Sequence, residues 1–184
     1  MTTSTILLVA AVIVILYLIG GYNKGVKLRN YVREAFSTMD VYLKKRWDLI
    51  PNLLETVKGY VQHEKSTLEE ITKLRNLNYT GMSNDEKMNI NSQLSLGLSK
   101  LIAVAENYPD LKANQQFGQL MNELSIVEND IANSRKYYNG TVREYNNFTE
   151  LFPTNIISVI CGFKAEKMFE ISDKERENVK VSFN

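Results

Sequence analysis

An all-α fold, an antiparallel bundle of long helices carried on a single N-terminal transmembrane helix, is predicted by three features of this sequence. The first is an uncharged apolar run at the amino terminus, and the second is a heptad rhythm that persists through a proline. The third is a scarcity of chain breakers, 3 Pro and 9 Gly in 184 residues. A hydrophobic content of 44% with 23% charged residues belongs to a globular chain, and the length has room for one domain of ordinary size plus an anchor. With 1 Cys, at position 161, neither a disulfide framework nor a paired-cysteine zinc site can be built within one chain.

The run "ILLVAAVIVILYLI" supplies the anchor through Ile6, Leu7, Leu8, Val9, Val12, Ile13, Val14, Ile15, Leu16, Leu18 and Ile19. About 21 residues at roughly 1.5 Å each cover about 30 Å, the thickness of bilayer hydrocarbon. No basic residue precedes the run and no small-x-small cleavage site follows it, so the segment reads as a retained anchor rather than a cleaved signal. Lys24, Lys27, Arg29 and Arg33 follow directly and would face lipid headgroups. By the positive-inside rule they place the N-terminus outside and the bundle in the cytoplasm, with a bundle on the periplasmic side as the alternative. Beyond this basic neck the domain is near neutral, which leaves no electrostatic footprint for nucleic acid.

Phe36, Asp40, Leu43, Trp47, Ile50, Leu54, Val57, Val61, Glu64, Leu68, Ile71 and Arg75 alternate at spacings of four and three. This heptad seam predicts one helix from about Lys24 to Asn76, kinked near Pro51, where proline removes a hydrogen bond to Trp47. The sequence "NLNYTGMSND" reads as a loop, and Ser83 with Glu86 as a capping box opening a second helix that ends at "ENYPD". A third seam runs through Phe117, Leu120, Leu124, Val127, Ile131, Ser134, Tyr138, Val142 and Tyr145, ending before Pro153. The apolar "NIISVICGFKAEKMFE" should form short helices across one end of the bundle. The expected organisation is an anchor at 1–23, a helical bundle domain at 24–170 and a charged tail at 171–184.

The polar candidates are few. His63-Glu64 begins like the zinc motif HExxH, but position 67 is Thr and the chain has 1 His, so a mononuclear zinc hydrolase is excluded for a monomer. Asp40 and Glu64 occupy seam positions where a carboxylate is costly unless paired; Arg135, Lys136, Arg143, Arg46 and Lys58 are candidate partners. Together with Trp47 and Pro51 they read as a joint and register device rather than an active site. Lys44-Lys45-Arg46-Trp47 lies about 33 Å from Tyr22 along a straight helix, beyond the reach of lipid charge, and reads as a solvated face or a contact with another subunit. The asparagines of "ENDIANSRKYYNGTVREYNNF" suit either subunit contacts or one wet helix face.

The motifs DLIPNL, TVKGY, HE, ENYPDLKAN and FP, within a match from Tyr22 to Glu170, resemble the LemA family. Phe36 and Met39 stand where that family more often has Trp and Ile. The resemblance implies a bacterial, single-pass inner-membrane protein with a long-helix bundle and no established enzymatic activity. A LemA-like protein also occurs among magnetosome membrane proteins. The expected function is therefore a membrane-anchored coiled-coil scaffold that self-associates as a homo-oligomer on the lipid bilayer, without cofactor, metal or catalysis. Two other readings stand beside it: an adaptor that captures a helix or tail of an envelope protein, and an enzyme using Glu64.

Overall fold

The computed structural model describes residues 2–60 and 65–170. The protein is an all-α bundle. In order, the helices are α1 (Thr3–Lys58), α2 (Lys65–Arg75), α3 (Asn84–Ala105), the short α4 (Pro109–Lys112), α5 (Gln115–Glu150) and α6 (Thr154–Cys161). A single 3-10 turn, Tyr79–Gly81, interrupts the loop before α3. Two compact units are formed, one from the chain up to Thr38 with Ser134–Met168, the other centred on Met39–Asn133.

Helix α1 contains the whole apolar run and continues past Gly20-Gly21 without a break. Among the described residues it is the one helix long and apolar enough to cross a membrane, and none of its most apolar window is buried against protein. Pro51 lies inside α1 on an exposed position and leaves the Trp47 carbonyl without its helical amide partner.

The seam residues Phe36, Leu43, Trp47, Ile50, Leu54 and Val57 are all buried, as the rhythm demands. The expected single helix to Asn76 is nevertheless corrected: α1 stops at Lys58, beside Gly59, the poorest helix former after proline. A helix continuing from Trp47 to Arg75 would separate them by about 42 Å. Instead the Arg75 guanidinium lies 5.5 Å from the Trp47 ring centre, so α2 has folded back. Leu68 and Ile71 are buried as the seam requires, but from a separate helix. Val61 and Glu64 lie outside the described residues.

Local chemistry explains the other boundaries. Ser83 caps α3 through a capping box: its hydroxyl accepts from the Glu86 amide, and the Glu86 carboxylate accepts from Ser83. Pro109 occupies the first turn of α4, where a missing N–H costs nothing. The Asn114 side chain accepts the Phe117 amide at 2.9 Å and starts α5. Gly162, at φ 71°, ends α6 in the left-handed conformation, and the Phe163 amide returns to the Ser158 carbonyl at 2.9 Å. The described residues after α6, up to Glu170, form no further helix; they run extended along α5. There Asn146 brackets Glu166, donating to its carbonyl at 2.8 Å and accepting its amide at 2.9 Å, while the Tyr138 hydroxyl donates to the Lys167 carbonyl at 2.9 Å. Asn146 thus spends its amide within its own chain.

In the first unit α1 and α5 are antiparallel, with Gly25 against Phe148 and Phe36 edge-on to Tyr138 at 5.7 Å. Gly25 is a close-approach site. A Cβ there would stand 2.7 Å from both the Phe148 and Phe163 rings. Gly25→Ala is expected to destabilise the fold even though alanine gains about 1 kcal/mol of helix propensity, because overpacking costs about 1–3 kcal/mol. Gly140→Ala, with nothing within 4 Å of the new methyl, should stabilise instead. Thermal unfolding of the two variants in detergent, followed by circular dichroism, should show shifts of opposite sign.

Candidate functional site

The polar groups of the second unit converge on two places, both held by the middle of α1. The first is Arg46. Its side chain is fully buried, contrary to the expectation of a solvated face at Lys44–Trp47. One guanidinium nitrogen donates to the Asn91 carbonyl at 2.8 Å and side-chain oxygen at 2.7 Å. The other donates to Ser95 Oγ at 2.8 Å and Glu128 Oε1 at 2.8 Å. Three helices, α1, α3 and α5, are therefore pinned in register by one planar donor, a role that suits a guanidinium fork and not a point charge. Lys44 pairs with Asp48 on the exposed side, a contact worth little.

The second place is Asp40. The carboxylate accepts the Tyr79 hydroxyl at 2.7 Å and the Lys87 ammonium at 2.6 Å. Its partners thus come from the turn before α3 and from α3 itself, not from the basic residues of α5 or from Arg46 and Lys58. Tyr79 packs its ring 4.9 Å from that of Trp47, which Arg75 covers from α2. A carboxylate at a seam position is stable here because each of its two oxygens accepts a hydrogen bond, one of them from a cation.

Burial, then the Asp40 hydrogen bond and charge, raises the Tyr79 phenol far above its ordinary value of 10. A phenol that binds its proton more tightly when folded contributes stability that is fully present below the unfolded pKa and is lost as pH rises toward the folded one. Alkaline unfolding should therefore steepen above about pH 10. Tyr79→Phe should be less stable at pH 7 yet show a shallower decline between about pH 10 and 12. Equal slopes for the two proteins would contradict the assignment.

Lys24, Lys27 and Arg33 are exposed on α1 just beyond the apolar segment, whereas Arg29 is half-buried with its guanidinium 5.3 Å from the Phe163 ring. The aliphatic residues from Ile6 to Ile19 are exposed to their surroundings. His63 and Glu64 lie outside the described residues. Among those residues, no cluster of three or more His, Cys, Asp or Glu side chains is arranged to hold a metal ion. Between α3 and α5 lies a groove of about 390 Å³ lined by Leu98, Ser99, Ile102, Met121, Leu124 and Ser125, and by the Arg46 partners Ser95 and Glu128.

Fold and polar sites together define a helical bundle that grows directly out of a bilayer-length apolar helix, with Arg46 and Asp40 committed to holding its elements in register. The chain belongs to the LemA family, whose model matches residues 35–183. It is 27% identical over 165 residues to Protein LemA of Metamycoplasma hominis, a match covering 89% of this chain and 75% of that protein. It is 33% identical over 73 residues to Magnetosome protein MamQ 2 of Paramagnetospirillum magneticum, covering 40% of this chain and 27% of the relative. The match to Magnetosome protein MamQ of Magnetospirillum gryphiswaldense is 29% over 72 residues, 39% of this chain and 26% of the relative. The chain thus spans about a quarter of the magnetosome proteins' length. None of these three relatives is named for a catalytic activity.

Proposed function

We propose that this protein is a membrane-anchored helical scaffold that self-associates at the bacterial membrane, with its bundle on the cytoplasmic side and no catalytic role. The observation that carries this reading is α1 itself, one unbroken helix whose first part is apolar and exposed and whose later part is the centre of the core. Such a helix holds every copy in one plane and one orientation. Confinement raises the effective concentration, so contacts too weak to assemble a soluble domain suffice. The commitment of Arg46 and Asp40 to internal partners fits a rigid contact surface better than a reaction centre. Two of the relatives are named magnetosome proteins, and neither name carries a catalytic activity.

The α3–α5 groove favours a second reading, an adaptor that receives a helix or tail of an envelope protein. Crosslinking in intact cells separates the two. A scaffold yields a ladder of multiples of this chain, whereas an adaptor yields one discrete product of different composition and no ladder.

A further inference from the structure

The segment Leu151–Phe163, "LFPTNIISVICGF", carries no charge and lies between Glu150 and Lys164. Its helix, α6, carries aliphatic side chains on its outward face as well as on its buried one. Ile157 and Ser158 are buried, at 1% exposure each, while Val159 is 82% exposed, Ile160 68% and Ile156 50%. Phe152, in the turn that leads into the helix, is 80% exposed. A helix on the wet side of a soluble domain places polar residues outward, and a contiguous apolar exterior marks a contact surface.

The position of this surface identifies what covers it. The Ile157 side chain rests on Gly21 of α1 so closely that a Cβ at Gly21 would overlap its Cδ1. Gly21 is two residues past Ile19, the last aliphatic residue of the exposed apolar segment, a rise of about 3 Å. The Tyr22 ring lies tilted against that of Phe163, just after α6, with centres 6.0 Å apart. Lys24, one turn further along α1, is exposed. Helix α6 is therefore fixed at the level where the apolar helix gives way to charge, and its outward face continues the apolar surface of α1.

We propose that α6 is a second membrane contact, lying in the interface of the leaflet from which α1 emerges. Phe152, Ile156, Val159 and Ile160 sit among the upper acyl chains, and Lys24 and Lys27 sit among the headgroups. Two contacts, one transverse and one in the plane, fix the tilt of the domain where a single helix would leave it free. This rests on α1 spanning the bilayer.

Cys161, exposed at the end of α6 and alone of its kind in the chain, provides the test. The full-length protein is labelled there with an environment-sensitive fluorophore and placed in phosphatidylcholine/phosphatidylglycerol nanodiscs. Lipids doxyl-labelled near the top of the acyl chain should quench the label several-fold more than aqueous iodide does, and Val159→Glu with Ile160→Glu should reverse that order. Emission as in water, open to iodide and indifferent to doxyl lipids, overturns the proposal. So does a label shielded from both quenchers, which would place a second copy on α6 instead of lipid. A parallel label at Ala10→Cys in a Cys161→Ser background separates the premises. If it is quenched by deep doxyl groups while the α6 label is not, α1 spans but α6 does not dip. If neither is quenched, the spanning reading fails with it.

Discussion

Arg46→Ala is expected to destabilise the folded protein by about 3–5 kcal/mol, the range for removing one member of a buried charged network. The side chain is wholly enclosed, and its loss leaves the buried Asn91 side-chain oxygen without its donor, while the Asn91 carbonyl keeps the Ser95 hydroxyl at 3.1 Å. Glu128, 39% exposed, can turn to solvent, so most of the cost falls on Asn91 and on the void. Arg46→Lys should still lose about 2 kcal/mol, because an ammonium gathers its donors at one point and cannot span the two sites that the separate guanidinium nitrogens serve. Arg46→Met, which keeps the volume, should fall between wild type and alanine. Denaturant titration of the intact protein in detergent checks the order. A loss below about 1 kcal/mol for alanine would show that the three helices do not depend on this fork.

Trp47→Ala comes next, at about 3–5 kcal/mol, the range for truncating a large buried aromatic side chain. Trp47 is 2% exposed and lies between the Tyr79 ring at 4.9 Å and the Arg75 guanidinium at 5.5 Å. The change therefore opens a void and also frees the back-folded α2 and the turn before α3. Trp47→Phe should recover more than half of the loss. Because this is the single tryptophan of the chain, wild-type emission should be blue-shifted and poorly quenched by acrylamide, and stability of the variants is read by circular dichroism. An alanine variant within about 1 kcal/mol of wild type would mean that α2 does not rest on this residue.

Much of the architecture can be read from residue spacing, because burial on one face of a helix imposes a repeat that composition alone cannot hide. The apolar seam residues from Phe36 to Val57 are buried, and Ser83 with Glu86 closes the expected capping box. The same repeat misleads beyond Val57. Leu68 and Ile71 keep phase with α1 although they belong to a helix running back along it, since a heptad records which face is covered and not whether the chain turned in between. Gly59 is the local signal of that turn.

Arg46 was hidden by its neighbours Lys44 and Lys45, which do face water. A second repeat reveals it: Val32, Met39 and Leu53 are buried at intervals of seven, and Arg46 stands in the same row. Tyr79 was hidden by the loop composition around it. A lone aromatic side chain among Asn, Thr, Gly and Ser was the available signal, but its partner Asp40 is 39 residues away and spacing says nothing about such a pairing. The exposed apolar face of α6 is legible as an uncharged run, whereas its seat on Gly21 comes only from the tertiary fold.

We propose that copies of this chain, aligned in a membrane by one continuous helix, hold one another. Native mass spectrometry of the intact protein released from lipid nanodiscs, at rising protein-to-lipid ratio, tests it directly. Discrete multiples of the 21.1 kDa chain, their population growing with density in the bilayer, are the expected result. A single-chain species at every density would contradict it.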